Sequence, residues 1–583
     1  MRRLPFRKLQ PVALAAVFLL ALPALVVAAT PRDELLRLVP DDVGFCVVLQ
    51  NLRTQSKALL ASPFVAQFRA SPLGQALQHA PEAAKLIQAD VQLKKYLHVS
   101  WAQLRDDIFG EAVVLAYRPG PPDKPDQEQG IILIRAHDPQ LLAALVDRIN
   151  EVQRQSHDLQ ALEERRFEDA IYYCRVERRG KSYYYVRGPV LGFSRQEDLL
   201  RETLGRALHS SESEPFVLRQ LRRCGVADDL VAWWINPRAF DAHLQARAAA
   251  TGDPTSTIVK AVLAYWKPLD GIALSLSVGS RALELKMTLL AQPEQMPAAV
   301  RPAFEGQEKP SELWARFPDN AILAMAGRFD AVAWTKWLGD FLPPDARAHC
   351  QQVLMRGPGA ALGKDICTEV LPYLGPDWGF CVLPPATDKS WVPQSLAALR
   401  IRPDGQTPPL EQVLLNGMNA LAGLAVISYN SNHDQPLMLR TTMQGKTEIR
   451  SLSGSGALPP GLEPAYAFKD GYLVLASSPA ALSSLRTQVL TPITGKPDVP
   501  LVRLSLRALG QYLSNHLDAL AAHLAEKDHT NRSEMQHRLK DLIAVMGLLD
   551  RLEMLERATP GRLTTVLRMS TRQPLDGTAQ RTK

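Results

Sequence analysis

Internal repetition is the feature that most constrains how this chain can fold. Residues 35–42 combine a short helical segment with a Pro-Asp turn and lead into an apolar run from Gly44. Residues 313–320 have the same pattern and lead into an apolar run from Ala321. In both places proline ends the helix, and the Asp or Asn that follows favours a turn before a strand. We therefore expect two related folding units.

Further landmarks recur in the same order in both halves, at spacings between 265 and 283 residues. They are residues 109–117 with 374–383, residues 131–135 with 396–400, and residues 183–194 with 466–477. Each half also ends on alternating apolar residues, at 283–289 and at 563–569, which predicts strands with these side chains turned inward and Thr565 as one polar inward position. This ordered series predicts a tandem duplication with a few loop insertions.

The repeat predicts the domain organisation of the chain. We place a first domain at residues 30–295, a linker at 296–310, a second domain at 311–572 and a disordered tail at 573–583. Each half mixes short strands, hairpins and helices without a regular βαβ rhythm. The predicted fold class is therefore α+β, with two tandem copies of a mixed, mainly antiparallel sheet packed with helices.

The two copies differ most near their ends. In the second copy, residues 504–525 and 534–555 have the periodicity of two long amphipathic helices. The corresponding segments of the first copy, 239–250 and 257–265, are shorter. Beyond the first 29 residues we expect no stretch with the roughly 18–20 apolar residues that a membrane-spanning helix needs.

The first 29 residues have the features of a secretory signal peptide. Four basic residues precede an apolar run from Val12 to Val27, and Val27-Ala28-Ala29 supplies the small residues that a signal peptidase recognises. We predict cleavage after Ala29, with the bond after Ala28 as second choice. An uncleaved membrane anchor is the alternative. The protein is thus predicted to be periplasmic or extracellular, without a membrane span after cleavage.

Charge gives no indication of a nucleic-acid partner. The formal net charge is +7, and removal of the four basic residues of the leader leaves +3 on more than 550 residues. Basic groups such as Arg219, Arg222 and Arg223 lack the interleaved aromatic residues of a platform for nucleic acid. We interpret them as solvated surface.

The six cysteines do not form a metal or redox motif, because no Cys-x-x-Cys occurs. Cys46, Cys174 and Cys381 lie in apolar strand-like runs and are predicted to be small buried hydrophobes. Cys350 and Cys367 are the one pair considered for a local disulfide.

Motifs of catalysis are also missing from the sequence. There is no phosphate-binding G-x-x-x-x-G-K-[ST], no G-x-G-x-x-G and no H-E-x-x-H, and the loop at 453–456 fails the nucleophile-elbow pattern because position 453 is Ser. The adjacent carboxylates at 41–42, 106–107 and 228–229 are interpreted as turn and helix-start residues. No catalytic or cofactor-binding residue and no cofactor are predicted.

The best metal candidates lie in the late helices. His516 and His523 are seven residues apart and so share a helix face, and Glu534 and His537 lie one turn apart. The complete carboxylate set of a helix-bundle metal site is absent, and the first half has no counterpart. We interpret these residues as solvated helix surface and predict no metal ligand.

Two aromatic clusters stand out. In Trp233-Trp234 we expect one indole in the core and the other exposed, because neighbours on a strand face opposite sides. The exposed one could stack on a sugar or a partner protein. The Tyr183–Tyr185 run is interpreted as ordinary strand packing.

The leader, the Leu-x-x-x-x-Pro-Asp-Asp opening at 35–42 and the glycine-turn hairpin followed by a helix resemble a family of exported bacterial proteins. That family is known only as a domain of unknown function and occurs in planctomycete-type genomes. The resemblance implies export and architecture. It implies no site residues, because the family has no established ones.

These observations favour an exported, non-catalytic protein that binds or organises something at the cell envelope or in the periplasm. An envelope protein or a glycan is the candidate partner. Two alternatives remain: an envelope hydrolase whose site is assembled from distant residues, and a carrier of an apolar ligand. A polar cleft with converging titratable groups would favour the hydrolase, and a large apolar cavity would favour the carrier.

Overall fold

The computed structural model describes residues 30–209, 213–249, 256–306, 309–387, 390–405, 407–487 and 498–576. The predicted leader and its cleavage site therefore lie outside the described residues. The strands are β1 Phe45–Gln50, β2 Ala112–Arg118, β3 Gln129–Arg135, β4 Leu159–Phe167, β5 Ala170–Glu177, β6 Gly180–Arg187, β7 Val190–Ser194, β8 Val231–Ile235, β9 Leu269–Val278, β10 Ala282–Ala291, β11 Leu323–Arg328, β12 Leu374–Leu383, β13 Gln394–Ile401, β14 Met438–Gln444, β15 Thr447–Ser453, β16 Ala465–Lys469, β17 Tyr472–Ala476, β18 Val499–Ser505, β19 Leu549–Thr559 and β20 Arg562–Thr571. The α-helices are Pro31–Leu36, Leu52–Leu60, Pro63–Ala70, Pro72–His79, Pro81–Leu97, Trp101–Gln103, Pro139–Gln155, Glu197–Leu208, Phe216–Cys224, Asp241–Ala249, Ser256–Trp266, Arg301–Phe304, Leu313–Arg316, Ala331–Asp340, Pro344–Leu354, Ala360–Leu362, Leu410–Asn430, Pro479–Ser483, Leu506–Asn515, Leu517–Lys527 and Arg532–Met546.

All the strand pairings within the described residues are antiparallel, and the two halves have the same strand order. The first half runs β4-β5-β6-β7-β3-β2-β1-β8-β9-β10. The second half runs β14-β15-β16-β17-β13-β12-β11-β18-β19-β20. The α+β class and the mainly antiparallel sheet are confirmed.

The halves join edge to edge through β10 and β20. These strands pair antiparallel over their whole length, with Lys286 opposite Val566 near the centre. The result is one sheet of twenty strands, in which the halves are related by an approximate twofold rotation. The apolar cores nevertheless stay separate, with one main cluster in each half.

The first face of the sheet packs against helices because alternate strand residues are small and apolar. Cys46, Val114 and Trp234 lie on this face and are buried together with side chains from Glu197–Leu208 and Phe216–Cys224. In the second half, Leu482 of helix Pro479–Ser483 enters the equivalent cluster. Hydrophobic burial on this face stabilises each half.

Segments at the domain borders are more ordered than expected. The predicted linker at 296–310 contributes Met296 and Phe304, both buried, to an apolar cluster with Leu563. The predicted disordered tail is wrong for residues 573–576, since Leu575 is buried and its N–H donates to the carbonyl of Ser280 at 2.7 Å. Residues 577–583 lie outside the described residues.

The two long helices predicted for the second half are partly wrong. Leu504 belongs to β18, and the helix begins at Leu506 because the Ser505 hydroxyl caps it by accepting the N–H of Ala508 at 3.1 Å. The segment 549–555 is strand, not helix, because β19 pairs with β18 on one side and β20 on the other. Tertiary pairing here overrides a helix-like periodicity.

One segment after the predicted leader is longer and more apolar than the sequence analysis expected. Helix Leu410–Asn430 has 21 residues, and its most apolar 18-residue window has a mean hydropathy of 1.4. By length and composition it could cross a membrane. Asn, Gly and Ser residues interrupt its apolar sequence, which is why it does not look continuous in the sequence.

Candidate functional site

A line of apolar side chains crosses the second face of the sheet, opposite the face that packs on the main helices. We call it the apolar row. Its members, in the order of neighbouring strands, are Ile132, Leu115, Val47, Trp233, Leu274, Met287, Leu567, Met554, Val502, Met325, Phe380, Ala397 and Leu475. Neighbours in this line are directly paired across the strands, except that Met287 and Leu567 are diagonal neighbours at the β10–β20 junction. At the usual strand spacing the row is about 55 Å long.

The row is partly exposed along its length. Seven members have at least 36% of their surface accessible, including 43% for Met287 and 48% for Leu567 at the junction. Leu285, beside Met287, is 52% exposed. Because the members are contiguous, they form an apolar strip much longer than the scattered exposed residues of an ordinary surface.

The inward orientation predicted for the ends of both halves is wrong at the junction. Leu285, Met287 and Leu567 face outward at the row, and Leu289 and Leu563 on the same face pack in the cluster with Phe304. By contrast, Thr288 is fully buried and Thr564 is 6% exposed on the first face. The two threonine hydroxyls are hydrogen-bonded at 3.1 Å across the junction. Polar residues occupy the inside here because each finds a partner there.

Charged residues complete the first face of the junction. Arg568 of β20 donates to Glu284 of β10 at 2.7 Å and to Asp498 at 3.4 Å. Lys286 donates to Asp229 at 3.0 Å, and Asp229 also accepts from the Ser275 hydroxyl at 2.6 Å. These side chains are at most 27% exposed, so the pairs are less screened than surface ion pairs.

Helices flank the row at both ends of its strands. The connections β1–β2 and β18–β19 leave from one end, where helices Pro72–His79 and Arg532–Met546 are in contact. The connections β8–β9 and β11–β12 leave from the other end, where Tyr265 stacks on Phe341 at 5.7 Å. Exposed apolar residues also occur on these connections, including Leu77, Leu86, Ile87, Ile258, Trp334 and Leu338. The row therefore lies between helical connections at both ends of its strands.

The Trp pair behaves as the sequence predicted. Trp234 is 1% exposed on the first face, and Trp233 is 38% exposed within the apolar row. Phe45 contacts the Trp233 ring edge-on at 6.0 Å. The Tyr183–Tyr185 run is buried, as the interpretation of strand packing requires.

The adjacent carboxylates form separate ion pairs. Asp106 accepts from Arg105 at 2.7 Å, and this hydrogen bond, against a smaller opposing effect of burial, lowers the pKa of its carboxyl. Asp107 lies 3.5 Å from Arg53. The pair 106–107 is part of a π-helical segment, Leu104–Ile108, and not a helix start as predicted. The pair 41–42 lies in a turn, as predicted.

The candidate metal ligands of the late helices have other neighbours. His523 packs against Trp391 at 5.0 Å, His516 packs against Tyr512 at 5.2 Å, and Glu534 pairs with Arg538 at 2.6 Å. Within the described residues, no three His, Cys, Asp or Glu side chains are arranged to hold a metal ion.

Two clefts outside the row are polar. One, of about 430 Å³, is lined by residues that include Arg118, Asp126, Glu128 and Gln196. Arg118 pairs with Asp42 and Glu202, and the Tyr117 hydroxyl donates to Glu128 at 2.8 Å. The other cleft, of about 280 Å³, lies beside His209. The lining of the first cleft has no Ser, Cys, Thr or His, so it lacks the arrangement of nucleophile and base that nucleophilic catalysis needs.

The cysteines are free thiols, so the considered bridge between Cys350 and Cys367 is wrong. Cys46, Cys174 and Cys381 are buried as predicted, and Cys224 is buried as well. Burial raises the pKa of the Cys46, Cys224 and Cys381 thiols to about 12, because an apolar environment disfavours the thiolate.

We expect native-state alkylation to distinguish these thiols. Exposed Cys350 should react with a maleimide, whereas Cys46, Cys224 and Cys381 should remain unmodified even when the pH rises from about 8 to about 10, below their raised pKa. Peptide mass spectrometry measures the modification, with the chain in urea as the control in which all six react. Rapid native labelling of Cys46 would contradict the closed packing around β1.

Comparison with known proteins adds little. No family model and no curated protein matches the chain. Among solved structures the chain is similar to crystal form IV of TP0453, with 11% sequence identity, coverage of 44% of this chain and 79% of that chain, and a TM-score of 0.23. For crystal form III the identity is 10% and the TM-score 0.22. Likenesses of this size carry no argument, and the resemblance to an exported bacterial family stays a prediction.

The sequence did not lead us to predict the apolar row. Its members are the alternate apolar residues of strands whose other residues are also apolar or small, and such strands indicate burial on both faces. The polar residues of β10 and β20 could have indicated the row. Glu284, Lys286 and Arg568 alternate there with the apolar residues.

Proposed function

We propose that this chain is an exported, non-catalytic binding protein of the cell envelope, and that it holds a lipid-like apolar ligand on the apolar row. The proposal joins two of the functions that the sequence favoured, binding at the envelope and carriage of an apolar ligand. It includes the predicted leader at 1–29 and an origin by duplication, to which the shared strand order lends support.

The observation that supports it is the inverted burial at the centre of the sheet. Leu285, Met287 and Leu567 are about half exposed, while polar Thr288 and Thr564 on the same two strands are inside. Exposing large aliphatic side chains to water costs about 25 cal/mol for each Å². A surface on which many neighbouring strands expose such side chains is typical of a binding face.

The chemistry of the row favours acyl chains over a polar partner. Trp233 is the member whose side chain carries a hydrogen-bond donor, and the other twelve offer hydrocarbon or thioether contacts. Met325, Met554 and Met287 are flexible and can adapt to chains of different shape. A row about 55 Å long also gives room for more than one acyl chain.

The test is binding of a fluorescent fatty acid, cis-parinaric acid, to the chain from Thr30 to Lys583, which contains every described element. We expect saturable binding, and we expect the double variant Met287→Glu with Leu567→Glu to bind about tenfold more weakly or worse, because carboxylates would lie under the acyl chain. Both positions are exposed, so the variant should fold.

A matched control is Ile171→Glu on β5, a 41% exposed strand aliphatic outside the row. It should bind the probe as the unmodified chain does. Organic extraction of the purified protein, followed by mass spectrometry, identifies any lipid that it carries. Equal binding by the double variant, or saturable binding that Ile171→Glu removes, would contradict the proposal.

A further inference from the structure

Helix Leu410–Asn430 presents an apolar surface that the fold does not cover. Leu421, Leu424 and Ile427 are 60%, 63% and 68% exposed. Glu411 is its one charged residue, so the helix is uncharged from 412 to 430. An apolar helix in a water-soluble fold is normally a core helix, but only 17% of its most apolar window is buried.

The helix is nevertheless held firmly by the protein at both ends. Near its start Leu410 is buried in a cluster with Ile366, Val370 and Ile401. At its end the Asn430 amide donates to the carbonyl of Leu437 at 3.0 Å and accepts the Leu437 N–H at 2.7 Å. Leu410 thus fixes the start of the helix to β13, and Asn430 fixes its end to the residue that precedes β14.

The neighbouring edge hairpin extends the apolar surface. Strand β14 follows the helix and contacts it, and each of its residues is exposed. Leu439 at 37% and Met443 at 66% share one face of the strand, and Met438 at 48% lies on the other. Arg440 and Lys446 are exposed on the same hairpin, while Asp434 and Glu448 keep the local charge mixed. An apolar helix beside an edge strand with three exposed apolar side chains, and with little net charge, fits a hydrocarbon surface better than a polar partner.

The equivalent helix of the first half shows that the topology does not require this composition. Pro139–Gln155 follows β3 as Leu410–Asn430 follows β13, and it carries Asp147, Arg148, Glu151 and Arg154. Its counterpart in the second half differs in having almost no charge. The apolar surface is therefore specific to one half of the protein.

We propose that helix Leu410–Asn430 and strand Met438–Gln444 dock the protein on a lipid bilayer, with Leu421, Leu424 and Ile427 entering the interfacial region while the helix lies parallel to the membrane plane. Apolar contact provides the attraction, so docking occurs on uncharged phosphatidylcholine. This goes beyond ligand binding, because it assigns a separate surface, and it stands whether or not the apolar row holds a lipid.

The test is flotation of the chain from Thr30 to Lys583 with phosphatidylcholine vesicles. The unmodified chain should float with the vesicles, and the triple variant Leu421→Gln, Leu424→Gln and Ile427→Gln should partition about tenfold less or worse, because three large aliphatic groups are lost from the interface. Glutamine preserves helix propensity, and thermal unfolding followed by circular dichroism checks that the variant is folded.

The matched control is Leu86→Gln with Ile87→Gln, which replaces side chains that are equally exposed on helix Pro81–Leu97 of the first half. Its partitioning should stay within about twofold of the unmodified chain. The Met287→Glu and Leu567→Glu variant should also still float, which separates this inference from the proposed ligand site. Unchanged flotation of the triple variant overturns the proposal. So does a vesicle-free dimer that the triple variant converts to monomer, since the helix would then be a self-association surface.

Discussion

Replacing Trp234 with alanine is expected to lower the free energy of unfolding by about 3–5 kcal/mol. The indole is 1% exposed, meets Phe216 edge-on at 5.6 Å and lies against Gly271, where a side-chain carbon would be only 3.1 Å from Nε1. It thus links β8 to β9 and to helix Phe216–Cys224. Alanine would leave a cavity that this closely packed region cannot fill. Urea unfolding followed by far-UV circular dichroism measures the change.

The adjacent residue provides a matched control. Trp233→Ala removes the same side chain from a position that is 38% exposed, and should cost about 1 kcal/mol or less. Trp234→Phe should cost about 1 kcal/mol, because the Trp234 N–H has no hydrogen-bond partner among the described residues and phenylalanine removes it. Equal losses for both alanine variants would contradict the assignment of the first face as the core.

Local chemistry explains which parts of the fold the sequence predicted. Asp470-Gly471 predicted a hairpin, and the two residues have φ values of 52° and 78° between β16 and β17. A two-residue turn with positive φ at both positions favours antiparallel pairing. The alternation of Trp233 and Trp234 likewise predicted two faces. These features depend on residues close together in the chain.

The parts of the fold that the sequence did not predict depend on pairing between distant segments. Nothing local indicates that β10 of one half pairs with β20 of the other, and without that contact Leu285 and Met287 look like core residues. The same contact gives Glu284 its partner Arg568 and so makes the polar face the buried one. Segment 549–555 was misassigned for the same reason, because its two neighbours in the sheet are set by the fold.

The proposed ligand site follows from this junction. Joining the halves at β10 and β20 brings the two parts of the apolar row into one continuous strip, which neither half would form alone. The charged pairs on the opposite face hold the junction. The strip and the charged pairs are therefore coupled: weakening the pairs should disturb the centre of the row.

Replacing Arg568 with methionine is expected to lower the free energy of unfolding by about 2–3 kcal/mol. Methionine keeps much of the aliphatic length, so the main loss is electrostatic. Glu284 loses a 2.7 Å hydrogen bond, and Asp498 loses Arg568 while it keeps its ion pair with Arg557. Removal of one partner from a fully buried pair costs about 3–5 kcal/mol. The side chains here are 16–27% exposed, and water reduces the cost.

The comparison variant is Arg551→Met near the start of β19. Arg551 pairs with Asp550 at 3.0 Å but is 44% exposed, so its replacement should cost about 0.5 kcal/mol or less. Urea unfolding gives both values, and proteolysis between the halves, around residues 296–310, should be faster only in Arg568→Met. The double variant Arg568→Met with Glu284→Gln should recover part of the loss, because the carboxylate that has lost Arg568 and keeps only the longer 3.8 Å pair with Lys286 is then removed. If Arg568→Met is as stable as Arg551→Met, the charged pairs do not hold the junction, and the β10–β20 hydrogen bonds with the Thr288–Thr564 contact must maintain the continuous row instead.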